Sequence, residues 1–256
     1  MAWLDNFIAG WEFNEASGST IAEVAGVTGY NGTSTGSSVV AGFQGNARNF
    51  ASTSTYFTCP SGVWSGMGGS TTVISYAFRI KFNTVQQCQI MRNDGQNGNC
   101  GYMIGLNSAG KIETFQNCTG NYAFPGGYLI GTGTTTMSTG VWYHIVMTWD
   151  GTYTKVYVNG TLEINFNANS QSGGYSTVYL GVGGTGFYAG FWGYNQQSFN
   201  SITIADIDCW YIWKRTLTST EASDFYNNGL VYPFGSTFMP APNRRLFQAI
   251  HRASNY

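Results

Sequence analysis

The sequence has little charge, little proline and no long apolar run. Only 9% of the 256 residues are charged and the formal net charge is −1, so we expect no nucleic-acid partner, which a basic surface would attract. No stretch is long and apolar enough to span a bilayer, and we therefore expect no membrane insertion. The five cysteines are an odd number without a C-x-x-C pair, so the usual sign of a zinc site is missing.

A secretory signal is also missing from the first residues. The stretch from Met1 to Ile8 has neither a basic start nor an apolar core followed by a small-residue cleavage site. We therefore expect the protein to be made in a host cytoplasm and not to be exported by the general route. In such a compartment we expect the cysteines to stay reduced. The alternative is a disulfide within the group of Cys88, Cys100 and Cys118, which lie in one region of the sequence.

The composition that remains is that of a β protein. The chain contains 35 Gly, 17 Tyr, 17 Phe and 8 Trp. Aromatic residues favour pleated, half-buried surfaces and glycine supplies turns, so we predict an all-β sandwich of two antiparallel sheets. Asn159-Gly160 is typical of a type I′ hairpin turn. The predicted strands are Ile8–Phe13, Thr71–Phe82, Gly101–Leu106, Lys111–Phe115, Trp142–Trp149, Thr154–Val158, Leu162–Phe166, Val178–Val182 and Ser201–Trp213.

One short helix and a terminal segment differ from this pattern. The stretch from Ser219 to Asn227 predicts a helix, with Ser219 as its N-cap and Glu221 in its first turn. After this helix the chain becomes rich in proline and then basic. We assign residues 1–230 to the sandwich and residues 231–256 to a proline-containing linker with a basic C-terminal tail.

Five segments, in order along the chain, resemble the motifs of laminin-G-like, concanavalin-A-like domains and cover roughly residues 8–229. The resemblance implies a jelly-roll sandwich of two antiparallel sheets. Members of the family serve as glycan-binding modules, as adhesion domains and, in phages, as parts of tail and head surfaces, so the fold alone does not select a function. The segments are Gly10–Gly18, Gly42–Phe50, Trp142–Gly151 with Lys155–Gly160, Ile207–Thr218, and Glu221–Tyr226.

The resemblance also implies a candidate calcium site. Calcium takes carboxylate and carbonyl oxygens, and in some family members an acidic residue of the first long loop acts together with an Asp of the closing strand. The matching positions here are Glu23 and Asp208. This loop departs from the usual pattern because it offers Glu in place of Asp and has few polar neighbours. The alternative is that both acids accept ordinary hydrogen bonds within the fold.

The paired carboxylates of a glycosidase are not found. Related enzymes carry a Glu-x-Asp-x-x-Glu pattern on one strand, and the nearest approach here is Asp206 with Asp208. Residues two apart share a face of a strand, and we expect Ile204, Trp210 and Ile212 on that same face. The alternative for Asp208 is a partly buried carboxylate that accepts from loop amides. We therefore predict that the protein is not an enzyme.

A glycan site is predicted in an aromatic stretch between residues 187 and 197. An aromatic ring on a turn can stack on the apolar face of a sugar, and Asn or Gln can bond its hydroxyl groups. The alternative is that these rings pack under long loops or against a partner subunit. The candidate residues are Tyr188, Phe191, Trp192, Tyr194, Asn195 and Gln196.

The C-terminal tail is a candidate anchor for a partner protein. It has basic residues without acidic neighbours, together with apolar residues spaced as on one helical face. The alternative is a frayed terminus. The candidate anchoring residues are Arg244, Arg245, Leu246, Phe247, Ile250 and Arg252.

These features together predict a non-enzymatic protein of a virion surface, as a head decoration or a tail-associated protein, held by its C-terminal tail. The expected partners are other capsid or tail proteins, with cell-surface or environmental glycans as further contacts, and we expect an oligomer in the assembly. The first alternative is a free-standing carbohydrate-binding lectin or adhesin. A further alternative is a divergent glycosidase.

Overall fold

The computed structural model describes residues 4–51, 55–60, 62–63, 70–71, 73–93, 101–117, 128–167, 178–179, 190–191 and 204–227. The strands are β1 Phe7–Trp11, β2 Thr20–Ile21, β3 Gly32–Thr35, β4 Ser38–Ala41, β5 Asn46–Phe50, β6 Tyr56–Thr58, β7 Ser70–Thr71, β8 Ile74–Thr84, β9 Cys88–Asn93, β10 Gly101–Leu106, β11 Lys111–Asn117, β12 Tyr128–Thr136, β13 Trp142–Trp149, β14 Tyr153–Val158, β15 Thr161–Asn167, β16 Val178–Tyr179, β17 Gly190–Phe191 and β18 Ile204–Trp213. Helix α1 spans Ser219–Asn227.

Among the described residues, the largest sheet has eight strands and is antiparallel throughout. Its order is β15-β14-β13-β8-β18-β5-β4, and β1 also pairs with β18. The first half of β18 pairs with β5, while its second half pairs with β1 on the same side. Strand β18 is therefore central, and the closing motif of the sequence forms the middle of the sheet.

A second antiparallel sheet has five strands in the order β12-β11-β10-β9-β17. Two smaller sheets consist of β2-β3-β6 and β16-β7. The predicted hairpin of β10 and β11 is present, and so is the turn at Asn159-Gly160, whose φ angles are 49° and 78°. Positive φ at both positions is what a type I′ turn requires. The predicted all-β sandwich is confirmed.

The core lies between the two large sheets and follows from the alternation along β8. The even-numbered residues from position 74 to position 82 point inward and are fully buried, whereas the odd-numbered residues point to the opposite face of the sheet. Burial of so much apolar surface is the main stabilising contribution to the sandwich. The inward residues of β8 are Ile74, Tyr76, Phe78, Ile80 and Phe82, and they join Ile104, Leu106 and Ile112 of the second sheet.

A β-bulge in β18 changes which residues share a face with the two aspartates. The register of β18 against β8 shifts between Ile207 and Cys209, and an extra residue of this kind reverses the alternation beyond it. Trp210 and Ile212 therefore point into the core between the sheets. The prediction that they share a face with Asp206 and Asp208 was wrong.

Helix α1 has the predicted bounds but a different cap. The Thr218 hydroxyl accepts from the Glu221 backbone N–H at 3.1 Å, and the Thr218 N–H donates to Glu221 Oε2 at 2.8 Å. This reciprocal pair is a capping box. The prediction of Ser219 as the cap was wrong because the residue before it has the geometry that satisfies the free N–H groups. Residues 228–256 lie outside the described part, so the division at residue 230 stays a prediction.

Candidate functional site

The face of the eight-stranded sheet that points away from the core, here called the outer face, carries most of the buried charge. One part, the covered end, consists of Arg79, His144 and Asp208 under the 42–45 loop and helix α1. The other part, the open end, consists of five polar and aromatic residues on neighbouring strands. The residues of the open end are Asn49, Lys81, Asn83, Trp142 and Asp206.

The covered end is built around a buried ion pair. Arg79 Nη1 lies 3.1 Å from Asp208 Oδ1, and the two side chains are 1% and 3% exposed. The Gln44 backbone N–H donates to Asp208 Oδ2 at 2.9 Å. The guanidinium carbon of Arg79 lies 5.1 Å from the centre of the Phe43 ring and 4.9 Å from that of Phe225. The guanidinium therefore lies close to two aromatic rings as well as to its carboxylate.

Burial dominates the electrostatics of this pair. Loss of solvation raises the pKa of the Asp208 carboxyl, and the opposing pull of Arg79 and of the Gln44 and Phe43 amides does not fully offset it. Burial likewise raises the pKa of the neighbouring Cys209 thiol, which therefore stays protonated at neutral pH. Both groups are buried, so solvent has little access to them.

The structure explains why residue 42, at the start of the 42–45 loop, is a glycine. A Cβ atom added at Gly42 would lie 2.5 Å from Asp208 Oδ2, which is closer than a real carbon and oxygen approach. The loop can therefore donate to the carboxylate only because residue 42 lacks a side chain. The prediction that Asp208 accepts from loop amides is consistent with this contact.

His144 belongs to the covered end as well. It is 3% exposed, and its ring lies 4.8 Å from the ring of Phe43, 5.5 Å from that of Phe225 and 5.3 Å from that of Tyr226. These rings come from the 42–45 loop and from helix α1. The histidine therefore packs as part of the layer that covers the sheet.

Four residues of the open end form a row in register across neighbouring strands, and Ser38 extends this row at one end. Asn49 lies opposite Asp206, Asp206 lies opposite Lys81, and Lys81 lies opposite Trp142. On the far side, Ser38 of β4 lies opposite Asn49. Because directly opposed residues of an antiparallel sheet share a face, these five side chains form one line across β4, β5, β18, β8 and β13.

Asp206 organises the open end. Its Oδ2 lies 2.8 Å from Lys81 Nζ, and its Oδ1 accepts from the side-chain amides of Asn49 at 2.6 Å and Asn83 at 2.8 Å. Lys81 Nζ also lies 5.1 Å from the centre of the Trp142 ring. Asp206 is 3% exposed, whereas the Lys81 side chain is 23% exposed, and the other three residues are partly exposed. The buried carboxylate thus holds partly exposed amides and an ammonium group in place.

The two carboxylates of the predicted calcium site, Glu23 and Asp208, already have partners within the protein. Glu23 accepts from the backbone N–H groups of Gly10 at 3.1 Å and Val27 at 3.0 Å, while Asp208 pairs with Arg79. Within the described ranges, no three His, Cys, Asp or Glu side chains form a group suited to a metal ion. A guanidinium beside Asp208 repels a divalent cation, so this arrangement does not favour calcium there. Calcium at Glu23 and Asp208 stays a prediction.

The predicted glycan and anchor residues fall almost entirely outside the described residues. Phe191 is the exception, and its backbone belongs to β17, which pairs with β9 at the edge of the second sheet. The other glycan candidates are Tyr188, Trp192, Tyr194, Asn195 and Gln196, and the anchor candidates are Arg244, Arg245, Leu246, Phe247, Ile250 and Arg252.

The open end was not predicted from the sequence, although one signal was present. In a chain with 9% charged residues, Arg79 and Lys81 occupy one face of a strand whose other face carries only aliphatic and aromatic side chains from position 74 to position 82. Such residues usually have partners on the neighbouring strands. What the sequence does not contain is the strand order that places β5 and β13 on either side of β18 and β8.

The two sheets, their antiparallel order and the sequence motifs define the class as a concanavalin-A-like sandwich. A family model described as the concanavalin A-like lectin/glucanases superfamily matches residues 50–223. This match covers more than half of the 256 residues, and the chain belongs to that superfamily. No curated protein sequence is significantly similar to the chain.

Solved structures with this fold come from several kinds of protein. Domain 4 of an extracellular GH43 arabinanase from Geobacillus stearothermophilus, solved in complex with arabinotriose, has a TM-score of 0.59 at 19% identity, with 86% of this chain and 98% of that chain covered. The binding domain of Paraclostridial Mosquitocidal Protein 1 has a TM-score of 0.62 at 14% identity, with 88% and 52% covered. Trypanosoma rangeli sialidase has a TM-score of 0.62 at 11% identity, with 91% and 34% covered, so the chain spans about a third of that enzyme.

These identities are low, and the likeness therefore concerns the fold.

Within the part of the chain that the structure describes, no helix combines the length and apolarity needed to cross a bilayer.

Proposed function

We propose that this chain is a non-catalytic carbohydrate-binding domain. The observation that carries the proposal is the likeness to domain 4 of the arabinanase. The likeness extends over 98% of that domain, and the structure of that domain was solved in complex with arabinotriose. A match over a whole separate domain, and not over a fragment of a catalytic one, favours a binding role.

The state of the strand carboxylates supports the non-catalytic part of the proposal. A glycosidase needs two carboxyl groups that flank a bond and reach the substrate. Here Asp206 and Asp208 are 3% and 2% exposed, and each is held by a cation of β8. Carboxylates bound in this way stabilise the sheet and are poorly placed to exchange protons with a sugar.

The experiment is a broad glycan array with the purified protein, with calcium present in one arm and a chelator in the other. Binding that free sugar competes away supports the proposal, and its loss in the chelator arm would identify a metal requirement. A blank array contradicts the proposal. Hydrolysis of a bound glycan that disappears in Asp206→Asn would contradict the non-catalytic part alone.

A virion surface is the second proposal, either as a head decoration or as a tail-associated protein. It is supported by the composition of the tail, in which Arg244, Arg245 and Arg252 have no acidic neighbours. In this proposal the tail anchors the domain to capsid or tail proteins, in an oligomeric assembly formed in a host cytoplasm. Co-purification with particles that is lost on removal of residues 231–256 supports it. Failure of the full chain to associate with particles contradicts it.

A further inference from the structure

The open end has the chemistry of a sugar-binding surface at a place that no sequence motif marks. The line from Ser38 to Trp142 crosses five strands, which corresponds to a length of about 19 Å at the usual strand spacing. Several linked sugar rings span such a length. The line also starts with an exposed hydroxyl and ends with a partly exposed indole.

We infer that an uncharged oligosaccharide binds along this row, with the indole of Trp142 against a sugar ring and with the amides of Asn49, in the row, and of Asn83, beside it, bonded to the sugar hydroxyl groups. The inference rests on the proposed function and assigns it a surface. The inferred binding surface is a different place from the 187–197 segment in which the sequence predicts a glycan site.

The amides are positioned for this task by the buried carboxylate. Each of Asn49 and Asn83 donates one N–H to Asp206 Oδ1. Neither amide oxygen accepts a hydrogen bond from another described residue, which leaves each amide with an acceptor and a second N–H for a ligand. Because the carboxylate fixes both side chains, little side-chain entropy is lost when a sugar binds.

The charge of the row favours an uncharged ligand. The ammonium group of Lys81 is neutralised by Asp206 at 2.8 Å, and the remaining side chains of the row are uncharged. A sugar carboxylate would have to compete with Asp206 for the ammonium, whereas a hydroxyl group can accept one of its other N–H donors.

The aromatic part of the row has a close counterpart elsewhere on the same sheet, which provides a matched control. Lys155 Nζ lies 5.9 Å from the centre of the Tyr153 ring on β14, as Lys81 Nζ lies 5.1 Å from Trp142. Tyr153 is 38% exposed. Asn165 is an exposed asparagine on β15 and serves as the control for Asn83.

The test compares wild type, Trp142→Ala, Asn83→Ala, Tyr153→Ala, Asn165→Ala and Trp192→Ala on one array of neutral oligosaccharides, arabinotriose included, and acidic oligosaccharides. Affinities for the strongest binder follow from calorimetry. We expect Trp142→Ala to weaken binding at least about 10-fold and Asn83→Ala to weaken it about 3- to 10-fold. The two control variants and Trp192→Ala should bind as wild type does.

The remaining outcomes overturn the inference, and they distinguish a failure of the proposed surface from a failure of the proposed function. Full binding by both Trp142→Ala and Asn83→Ala with loss in Trp192→Ala overturns the surface but leaves the proposed function intact. No binding by the wild type contradicts both. Near-ultraviolet circular dichroism identifies a variant that fails to fold. If Trp142→Ala fails in this way, Asn83→Ala decides the inference alone.

Discussion

The outer face of the large sheet contains two ion pairs of the same design in different surroundings. Arg79 and Lys81 are two residues apart on β8, and they pair with Asp208 and Asp206, two residues apart on β18. At the covered end the cation is 1% exposed and lies between aromatic rings of a loop and a helix, whereas at the open end the cation is 23% exposed.

The two pairs differ in burial and not in chemistry, and this difference separates the structural pair from the one at which we propose that a sugar binds. At the covered end every side of the guanidinium faces protein groups, so the pair anchors the 42–45 loop and helix α1 to the sheet. At the open end the carboxylate is buried but its partners remain partly exposed. The same chemistry there leaves amides, an ammonium group and an indole partly exposed to solvent.

Loss of the carboxylate at the covered end should have the largest effect. Asp208→Ala leaves the Arg79 charge buried without its partner, which should lower the free energy of unfolding by about 3–5 kcal/mol. Urea denaturation measures this loss. The double variant Arg79→Met/Asp208→Leu removes the charge as well and should regain much of the stability. A loss below about 1 kcal/mol in Asp208→Ala would break the comparison, because the pair would then behave as a surface pair.

Loss of the N-terminal cap of helix α1 should have the second largest effect on stability. Thr218→Ala removes the hydroxyl that accepts from the Glu221 N–H and should cost about 1 kcal/mol of unfolding free energy. Ser219→Ala is the matched control, because Ser219 is exposed and should change stability by less than about 0.5 kcal/mol. Thermal or urea unfolding of both variants decides the point. A larger loss in Ser219→Ala would mean that the cap is Ser219 after all.

Loss of the cation at the open end should have a smaller effect. Lys81→Met removes a partly hydrated charge, while Asn49 and Asn83 continue to donate to Asp206. Because Asp206 is itself buried but keeps these two donors, we expect a loss of about 1 kcal/mol in urea denaturation, well below that in Asp208→Ala. A loss as large as that in Asp208→Ala would erase the distinction between the two ends.

Acid should weaken the attachment of helix α1 by a small amount. Burial pushes the pKa of Glu221 up, but hydrogen bonds from Arg215 and Thr218 outweigh it and hold this pKa below the ordinary value of 4.5. The ionised carboxylate therefore contributes stability above pH 4.5, and that stability is lost as pH falls through the lowered pKa. Urea denaturation at several acidic pH values should show a shallower loss for Glu221→Gln than for wild type. Identical slopes would contradict this role.

The sequence predicts the strands well because alternation and turn chemistry are local. The hairpin at Asn159-Gly160 and the buried face of β8 follow from spacing alone. The bulge in β18 does not, since an extra residue in a strand leaves no periodic sign, and so Trp210 and Ile212 were assigned to the wrong face. The cap also required geometry, because Thr218 and Ser219 are both good capping residues.

The candidate site was less predictable because it depends on strand order. Asp208 was identified from the closing motif, but its partner Arg79 lies 129 positions away in the sequence. Asn49 and Trp142 belong to two motifs that the sheet brings to either side of Asp206 and Lys81. The motifs thus mark strands, and only the pairing of these strands creates the row.

The most direct test of the central claim is to follow the tryptophan indole resonances by NMR as a neutral oligosaccharide from the array is added. The resonance of Trp142 is assigned by its absence from the spectrum of Trp142→Phe. We predict that the Trp142 signal shifts progressively with added sugar, while those of the buried Trp149 and Trp210 stay in place. A shift of the Trp192 signal with an unmoved Trp142 signal would contradict the account.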